Sequence, residues 1–155
     1  MGALTDPLVR RGARVVAIEV HPGRARQLRQ RFGDAIVVVQ ADAADLRLPR
    51  QPYDVIANPP FGITTALLRR LLQPGSRLRT AHLILPEHAA RRWAGAGAPG
   101  RARWSRTFAV QLGDRMPRRA FQPPPARDAR ILVIRRLHPT AGGRNGVSRP
   151  RRPAP

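Results

Sequence analysis

The residues with the clearest chemical potential form one short run, Asn58-Pro59-Pro60-Phe61, directly after the apolar segment 53–57. Two consecutive prolines stiffen a turn and remove two backbone donors, so its carbonyl oxygens face outward without partners. The side-chain oxygen of Asn58 and the carbonyl oxygen of Pro59 would then accept the two hydrogens of an amino group such as adenine N6. Phe61 would stack on the base, flipped out of its helix. The run predicts a site that holds an aromatic amine for attack on a reactive methyl donor.

Acidic residues follow two other apolar segments. Glu19 comes at the end of segment 14–20, and Asp42 follows segment 36–40. A carboxylate at such a strand end can accept hydrogen bonds from both hydroxyls of a ribose. Asp42, with the backbone amide of Ala43, could pair with an adenine ring. Alone, Glu19 is equally consistent with a solvated strand end, and Asp42 with a loop or helix cap.

The elements that must position these residues alternate between strand and helix patterns. Predicted strands cover 14–20, 36–40, 53–57, 81–85, 107–112 and 131–135, and predicted helices cover 4–11, 21–32, 63–72 and 87–93. Gly, Ala, Pro and Arg dominate 95–106, which predicts a mobile basic loop. Residues 138–155 predict a disordered Arg- and Pro-rich tail. The alternation predicts one α/β domain over 1–137, built on a doubly wound sheet whose ligands bind at the strand ends.

The charge balance favours a polyanionic partner. The chain has 29 Lys and Arg, all of them Arg, against 9 Asp and Glu, for a net charge of +20. Guanidinium groups bind phosphate oxygens in pairs, so nucleic acid is the favoured partner over a basic surface that is merely solvated. The absence of cysteine excludes disulfides and thiolate chemistry. With no long apolar run and no signal peptide, we expect a cytoplasmic protein without membrane or metal.

Residues 2–137 resemble the Erm family of ribosomal RNA adenine N6-methyltransferases, relatives of the KsgA-type dimethyltransferases. That family's donor loop reads Asp-Ile-Gly-Ala-Gly-x-Gly-Ala-Leu-Thr, and this chain opens with Met-Gly-Ala-Leu-Thr. The resemblance implies a Rossmann-like class I S-adenosylmethionine-dependent methyltransferase sheet that is N-terminally truncated, without its central strand and most of the glycine loop. It assigns Gly2 and Asn58 to the cofactor, Glu19 to the cofactor's ribose, and Asp42 and Ala43 to its adenine.

The later segment Arg-Arg-Ala-Phe-Gln-Pro-Pro-Pro, residues 118–125, resembles a family motif whose aromatic residue packs near the target base. The resemblance gives Phe121 that role, with core packing as the alternative. Residues 126–129 are Ala-Arg-Asp-Ala, where the family has a Val-Asp-Ser-like run. The chain also ends where longer relatives build a helical RNA-binding domain. Contact with RNA would then fall to arginines of the catalytic domain: Arg91, Arg92, Arg101, Arg103, Arg118 and Arg119.

The expected function is methyl transfer from S-adenosylmethionine to N6 of an adenine in 23S ribosomal RNA by a monomer, which implies resistance to macrolide-type antibiotics. The alternatives are methylation of DNA adenine or protein glutamine, and an inactive remnant that binds RNA through its charge. The arginine excess argues against a protein substrate, and the lack of a large insert argues against DNA. The missing strand and loop predict weak cofactor binding by residues 1–155.

Overall fold

The computed structural model describes residues 2–121, 124–126 and 128–137. In these ranges the helices are α1 Thr5–Arg10, α2 Pro22–Phe32, α3 Thr64–Leu71, α4 Glu87–Ala94 and α5 Arg101–Trp104. The strands are β1 Val15–Ile18, β2 Ile36–Val39, β3 Tyr53–Ala57, β4 Leu78–Pro86, β5 Phe108–Met116 and β6 Ala129–Arg136. Within the same ranges, no helix has both the length and the hydropathy needed to cross a membrane.

The six predicted strands and the four predicted helices are confirmed, with differences only at their ends. Helix α2 begins at Pro22, whose ring fixes the backbone angle that a first helical residue needs. It ends before Gly33, which has a φ of 50°. Strands β4, β5 and β6 are longer than predicted because residues beyond their apolar runs, polar ones such as Arg115 and Arg130 included, also pair with neighbouring strands. The predicted disordered tail lies outside the described residues.

The strands form two hydrogen-bonded groups. Strands β1 and β2 pair in parallel, and the second group has the order β3-β4-β6-β5. Strand β3 is parallel to β4, whereas β6 is antiparallel to both of its neighbours, β4 and β5. Strands β3, β4 and β5 therefore all end at the same edge of the four-stranded group. In the described part of the chain, β1 pairs only with β2 and β3 only with β4, so each keeps one unpaired edge. The predicted lack of a central strand stays a prediction.

Most of the apolar core lies on the four-stranded group. Leu67, Leu68 and Leu71 line the buried side of α3 and belong to one cluster with Leu83 and Leu85 of β4. Full burial of a leucine side chain stabilises a fold by roughly 1.5–3 kcal/mol, so this cluster is the main source of stability. The β1–β2 pair contributes less, since the side chains of its cross-strand neighbours Val16 and Val37 are 53% and 52% exposed.

The prediction of a mobile loop over 95–106 is wrong for part of that segment. Residues Arg101–Trp104 form helix α5, which begins after Gly100 with a φ of 66°. The side chain of Trp104 is 4% exposed, and its indole Nε1 donates a hydrogen bond to the Pro99 carbonyl oxygen at 3.0 Å. Ala98 is also buried in the core cluster. The composition of residues 95–106 does not indicate this ordered helix, because two buried apolar side chains are enough to anchor a segment that is otherwise rich in Gly, Pro and Arg.

Replacing Trp104 with alanine tests this anchor. Truncation of a buried tryptophan costs about 3–5 kcal/mol, because apolar contact is lost and a cavity remains. We expect the free energy of unfolding, measured by urea denaturation with circular dichroism, to fall by about that amount. Arg103→Ala, at the exposed neighbouring position, should change it by less than about 0.5 kcal/mol. Equal stability of the two variants would show that Trp104 is not held in the core.

Candidate active site

The turn after β3 leaves two oxygen atoms without partners. The carbonyl oxygen of Pro60 accepts hydrogen bonds from the Ile63 amide and the Thr64 hydroxyl, both at 3.2 Å, and so helps α3 to begin. Among the described residues, neither the Asn58 side chain nor the Pro59 carbonyl has a hydrogen-bond partner. Asn58 is exposed at the tip of the strand. Both oxygens of the turn can therefore accept hydrogen bonds from an external donor.

The side of this turn is formed by a pair of aromatic rings. Phe61 is 65% exposed, and its ring lies 5.6 Å from the His88 ring, centroid to centroid, at an interplanar angle of 50°. His88 is the second residue of α4, directly beyond the carboxyl end of β4. We did not predict His88 from the sequence. The sequence signal that could have indicated His88 was its position, because it follows a predicted strand closely, as Asn58 follows β3.

Glu19 and Asp42 lie on neighbouring strand ends. The ladder of β1 and β2 continues past both strands, since the Glu19 amide donates to Val39 O at 3.1 Å and the Ala41 amide donates to Glu19 O at 3.3 Å. One Glu19 carboxylate oxygen accepts the His21 amide at 2.9 Å. One Asp42 oxygen accepts the Ala44 amide at 2.8 Å, which closes a turn. Each carboxylate keeps a second oxygen without a partner among the described residues.

Gly2 has a structural constraint of its own. Its φ is 84°, and a Cβ atom there would approach the Phe32 ring to 2.9 Å. Its carbonyl oxygen accepts the Asp6 amide at 3.0 Å at the start of α1. Glycine is therefore required at this position by backbone angle and by close packing. In the described part of the chain, no hydrogen bond joins Gly2 to Glu19, Asp42 or Ala43, so its role toward a cofactor stays a prediction.

Phe121 is half-buried directly after a short 3₁₀ turn, Arg118–Ala120, and its amide donates to Arg118 O at 3.2 Å. Among the described residues, its ring makes no aromatic contact with Phe61 or His88. The predicted role of Phe121 next to a target base therefore stays a prediction.

A charged cluster, the Glu87 cluster, lies near the turn formed by residues 58–61, the candidate catalytic turn, and was not predicted. Glu87 is the first residue of α4, and its 16% exposed carboxylate binds Arg91, Arg115 and Arg130. The shortest N–O distances to these three arginines are 2.7, 3.0 and 3.5 Å, respectively. Hydrogen bonds from Arg115 and then Arg91 hold the pKa of Glu87 below its usual value. Asp128 is close by, because its carbonyl oxygen accepts the Glu87 amide at 3.0 Å.

An open cavity of about 450 Å³ adjoins this cluster. Its lining comes from the end of β5, the residues after it and the segment before β6: Arg115, Met116, Pro117, Arg118, Arg119 and Asp128. Three guanidinium groups and one carboxylate give this lining a net positive charge. The cavity is therefore suited to an anion.

Comparison with solved structures defines the class of protein. The crystal structure of the 23S rRNA methyltransferase ErmE matches with a TM-score of 0.77 and 30% identity, over 88% of this chain and 57% of that one. A dimethyladenosine transferase from Plasmodium falciparum matches with a TM-score of 0.66 at 22% identity. The fold is thus the Rossmann-like fold of class I S-adenosylmethionine-dependent methyltransferases, as the sequence predicts.

Sequence relatives narrow the class to one family. The profile of the ribosomal RNA adenine dimethylase family matches residues 1–144, and the chain belongs to that family. An rRNA adenine N-6-methyltransferase of Corynebacterium diphtheriae is 42% identical over 88% of this chain and 54% of its own length. The mycinamicin-resistance protein MyrB of Micromonospora griseorubida is 38% identical over 87% and 44%. The chain thus spans about half the length of these curated relatives.

The Glu87 cluster predicts a pH-dependent contribution to stability. Because the pKa of Glu87 is lower in the folded than in the unfolded chain, its ionised form stabilises the fold fully above the unfolded value of about 4.3. This stabilisation disappears as the pH falls through the lower, folded pKa. We therefore expect Glu87→Gln to be less stable than the parent chain at pH 7, with the difference shrinking as the pH falls from about 5 toward 3.

Urea denaturation at a series of pH values measures this difference. Asp34→Asn is the matched control, because Asp34 is exposed and has no ion pair in the described ranges. It should leave the pH dependence of stability unchanged. A Glu87→Gln deficit that stayed constant down to pH 3 would contradict the lowered pKa.

Proposed function

We propose that this chain carries the catalytic part of an enzyme that methylates N6 of an adenine in 23S ribosomal RNA, with S-adenosylmethionine as the methyl donor. One observation carries the proposal. In a member of this family, the free oxygens of Asn58 and Pro59 lie at the tip of β3 beside the exposed ring of Phe61. The two oxygens match the two hydrogens of an aromatic amine, and the ring matches the face of its base.

The choice of 23S RNA rests on the relatives. The solved relative at 30% identity is named a 23S rRNA methyltransferase, and a curated relative at 38% identity is named a mycinamicin-resistance protein. Small-subunit methyltransferases are more distant, at 29% identity for the one from Cupriavidus taiwanensis. Resistance to macrolide-type antibiotics is the proposed consequence. Methylation of ribosomal RNA would place the protein in the cytoplasm. We further propose that it acts as a monomer.

The residues present fit the nucleoside half of S-adenosylmethionine. The free carboxylate oxygen of Glu19 would accept ribose hydroxyls, and that of Asp42 would accept an adenine amino hydrogen. Ala43, half-buried beside Asp42, would pair with the same ring through its amide. For the methionine half the described chain offers only Gly2 of the family's glycine loop. We therefore expect residues 1–155 to bind the cofactor more weakly than micromolar.

In the proposed mechanism the turn acts by recognition and position. Asn58 Oδ1 and the Pro59 carbonyl oxygen accept the two N6 hydrogens, which holds the amino group in place and draws its lone pair out of conjugation with the ring. Phe61 stacks on the base, and His88 supports Phe61 from the side. The bound cofactor supplies an electrophilic methyl group on a sulfonium. The methylated nitrogen would release one proton to water, so no strong base is required, and position and electrostatic complementarity account for the acceleration.

Replacing Asn58 with alanine tests the proposed mechanism. Removal of one such polar group typically lowers kcat by about 10²–10³-fold, and we expect a loss of that size. The measurement is transfer of tritiated methyl to a 23S RNA transcript at millimolar S-adenosylmethionine, chosen to saturate a weak site. Cofactor affinity, measured by calorimetry, should change by less than about threefold, because Glu19 and Asp42 remain.

Thr65→Ala, an exposed change in the first turn of α3, is the control and should keep full transfer. Undiminished transfer by Asn58→Ala would contradict the mechanism. Absence of transfer by the parent chain would favour the alternative of an inactive remnant that binds RNA through its charge.

A further inference from the structure

The Glu87 cluster holds two arginines in fixed positions at the strand edge that carries the catalytic turn. One Glu87 oxygen accepts hydrogen bonds from Arg91 Nε and Nη2 at 3.0 and 2.7 Å. The other oxygen accepts from Arg115 Nε and Nη2 at 3.3 and 3.0 Å. Charge-assisted hydrogen bonds from two donors of the same guanidinium group favour one position for that group. A single carboxylate thus orients two side chains from different elements, α4 and β5.

The third arginine of the cluster has a different role. Arg130 is 23% exposed, and its Nε donates to the Gly113 carbonyl oxygen at 2.9 Å, which ties β6 to β5. Arg91 and Arg115 are 60% and 64% exposed. A guanidinium has five N–H groups, and each of these two uses two on Glu87, so three remain. Arg91 and Arg115 can therefore bind a further anion without releasing Glu87.

Charge favours such binding. Three guanidinium groups meet one carboxylate, which leaves the Glu87 cluster with an excess of two positive charges. The adjoining cavity adds Arg118 and Arg119 against Asp128. The guanidinium groups of such a cluster repel one another, and a bound anion reduces this repulsion.

His88 links the Glu87 cluster to the candidate catalytic turn. His88 follows Glu87 in α4 and contacts Phe61. An anion on Arg91 and Arg115 would therefore lie on the same strand edge as the amine site. In RNA, a flipped adenine is flanked by phosphodiesters on both sides. The strands that precede the two groups, β3, β4 and β5, all end at this edge of the sheet, so one RNA segment could contact both.

We propose that Glu87 is a positioning residue that presents Arg91 and Arg115 as a clamp for a phosphodiester of the RNA strand next to the target adenine. This rests on the proposed function for the choice of RNA as ligand. For removal of the Glu87 charge, the clamp predicts a change in RNA affinity opposite in sign to the change expected from net charge alone. Removing the Glu87 charge raises the net charge of the protein by one, which by itself would strengthen RNA binding. A positioning role predicts weaker binding, because the guanidinium groups are then free to separate.

The experiment measures binding of a fluorescein-labelled RNA hairpin with an adenine in its loop, by anisotropy at several salt concentrations. Arg115→Ala should weaken binding about fivefold and lower the slope of log K against log salt by about 0.7, the loss of one phosphate contact. Glu87→Gln should weaken binding by at least as much and lower the slope similarly. The double variant should bind no more weakly than Glu87→Gln, because both changes affect the same clamp.

Asp54→Asn is the matched control. Asp54 also binds an arginine, Arg79, but lies near the start of β3, at the opposite end of the strand from Asn58. Its replacement makes the same change in net charge, and it should leave RNA affinity equal or slightly higher. Circular dichroism and urea midpoints establish that every variant is folded, and Arg115→Ala, an exposed change, tests the clamp independently of Glu87.

Tighter RNA binding by Glu87→Gln with an undiminished salt slope would overturn the proposal, as would an Arg115→Ala variant that binds like the parent. These results do not depend on methyl transfer. The clamp can therefore fail while Asn58→Ala still lowers methyl transfer, in which case the proposed function stands. The clamp can also be confirmed in a chain that binds RNA but transfers no methyl group.

Discussion

The packing of α3 against the four-stranded group is the interaction on which the site depends. The turn that carries Asn58 is joined directly to this helix, and the carbonyl of Pro60 accepts hydrogen bonds from its first residues. The leucines of α3 are buried with those of β4, so the helix cannot move without opening the core. Since Pro59 and Pro60 also restrict the backbone, the turn is rigid at both ends. The oxygens of Asn58 and Pro59 are thereby held outward without partners.

Strand β6 gives the site its second half. It lies between β4 and β5 and is antiparallel to both, so the carboxyl ends of β4 and β5 meet at one edge. Glu87 follows β4, and Arg115 lies near the end of β5. Paired residues Arg115 and Arg130 of β5 and β6 can therefore reach the same carboxylate. The proposed amine site after β3 and the proposed anion site after β4 and β5 therefore depend on one sheet arrangement.

The few acidic residues of this arginine-rich chain have specific places. Glu19 and Asp42 lie on adjoining strand ends, each with one oxygen bound to a nearby backbone amide. Asp54 binds Arg79 and Thr80, and these hydrogen bonds outweigh partial burial, so its pKa is lowered. Glu87 binds three arginines. In a protein of net charge +20, the carboxylates of Asp54 and Glu87 orient the arginines that they bind. They also reduce the repulsion between these arginines.

The sequence by itself determined the order of the six strands and of helices α1–α4, and it indicated the Asn58 turn as the candidate site. Continuous apolar runs and period-3.6 apolar patterns, with glycine and proline at their ends, are local signals, and so is a diproline next to an asparagine. The family resemblance rested on the same local runs. The fold class followed from the alternation of strands and helices, and the structural neighbours confirm it.

Only the tertiary structure decided which distant residues meet. The segment 95–106 has the composition of a loop, yet Trp104 and Ala98 are buried because the core offers space there. Arg115 and Arg130 look like ordinary surface arginines in the sequence, and His88 like an isolated histidine. Their convergence on Glu87 and Phe61 depends on sheet order and register, which join positions up to 43 residues apart. Local patterns contain no information on that register, because it is set by the packing of the whole sheet.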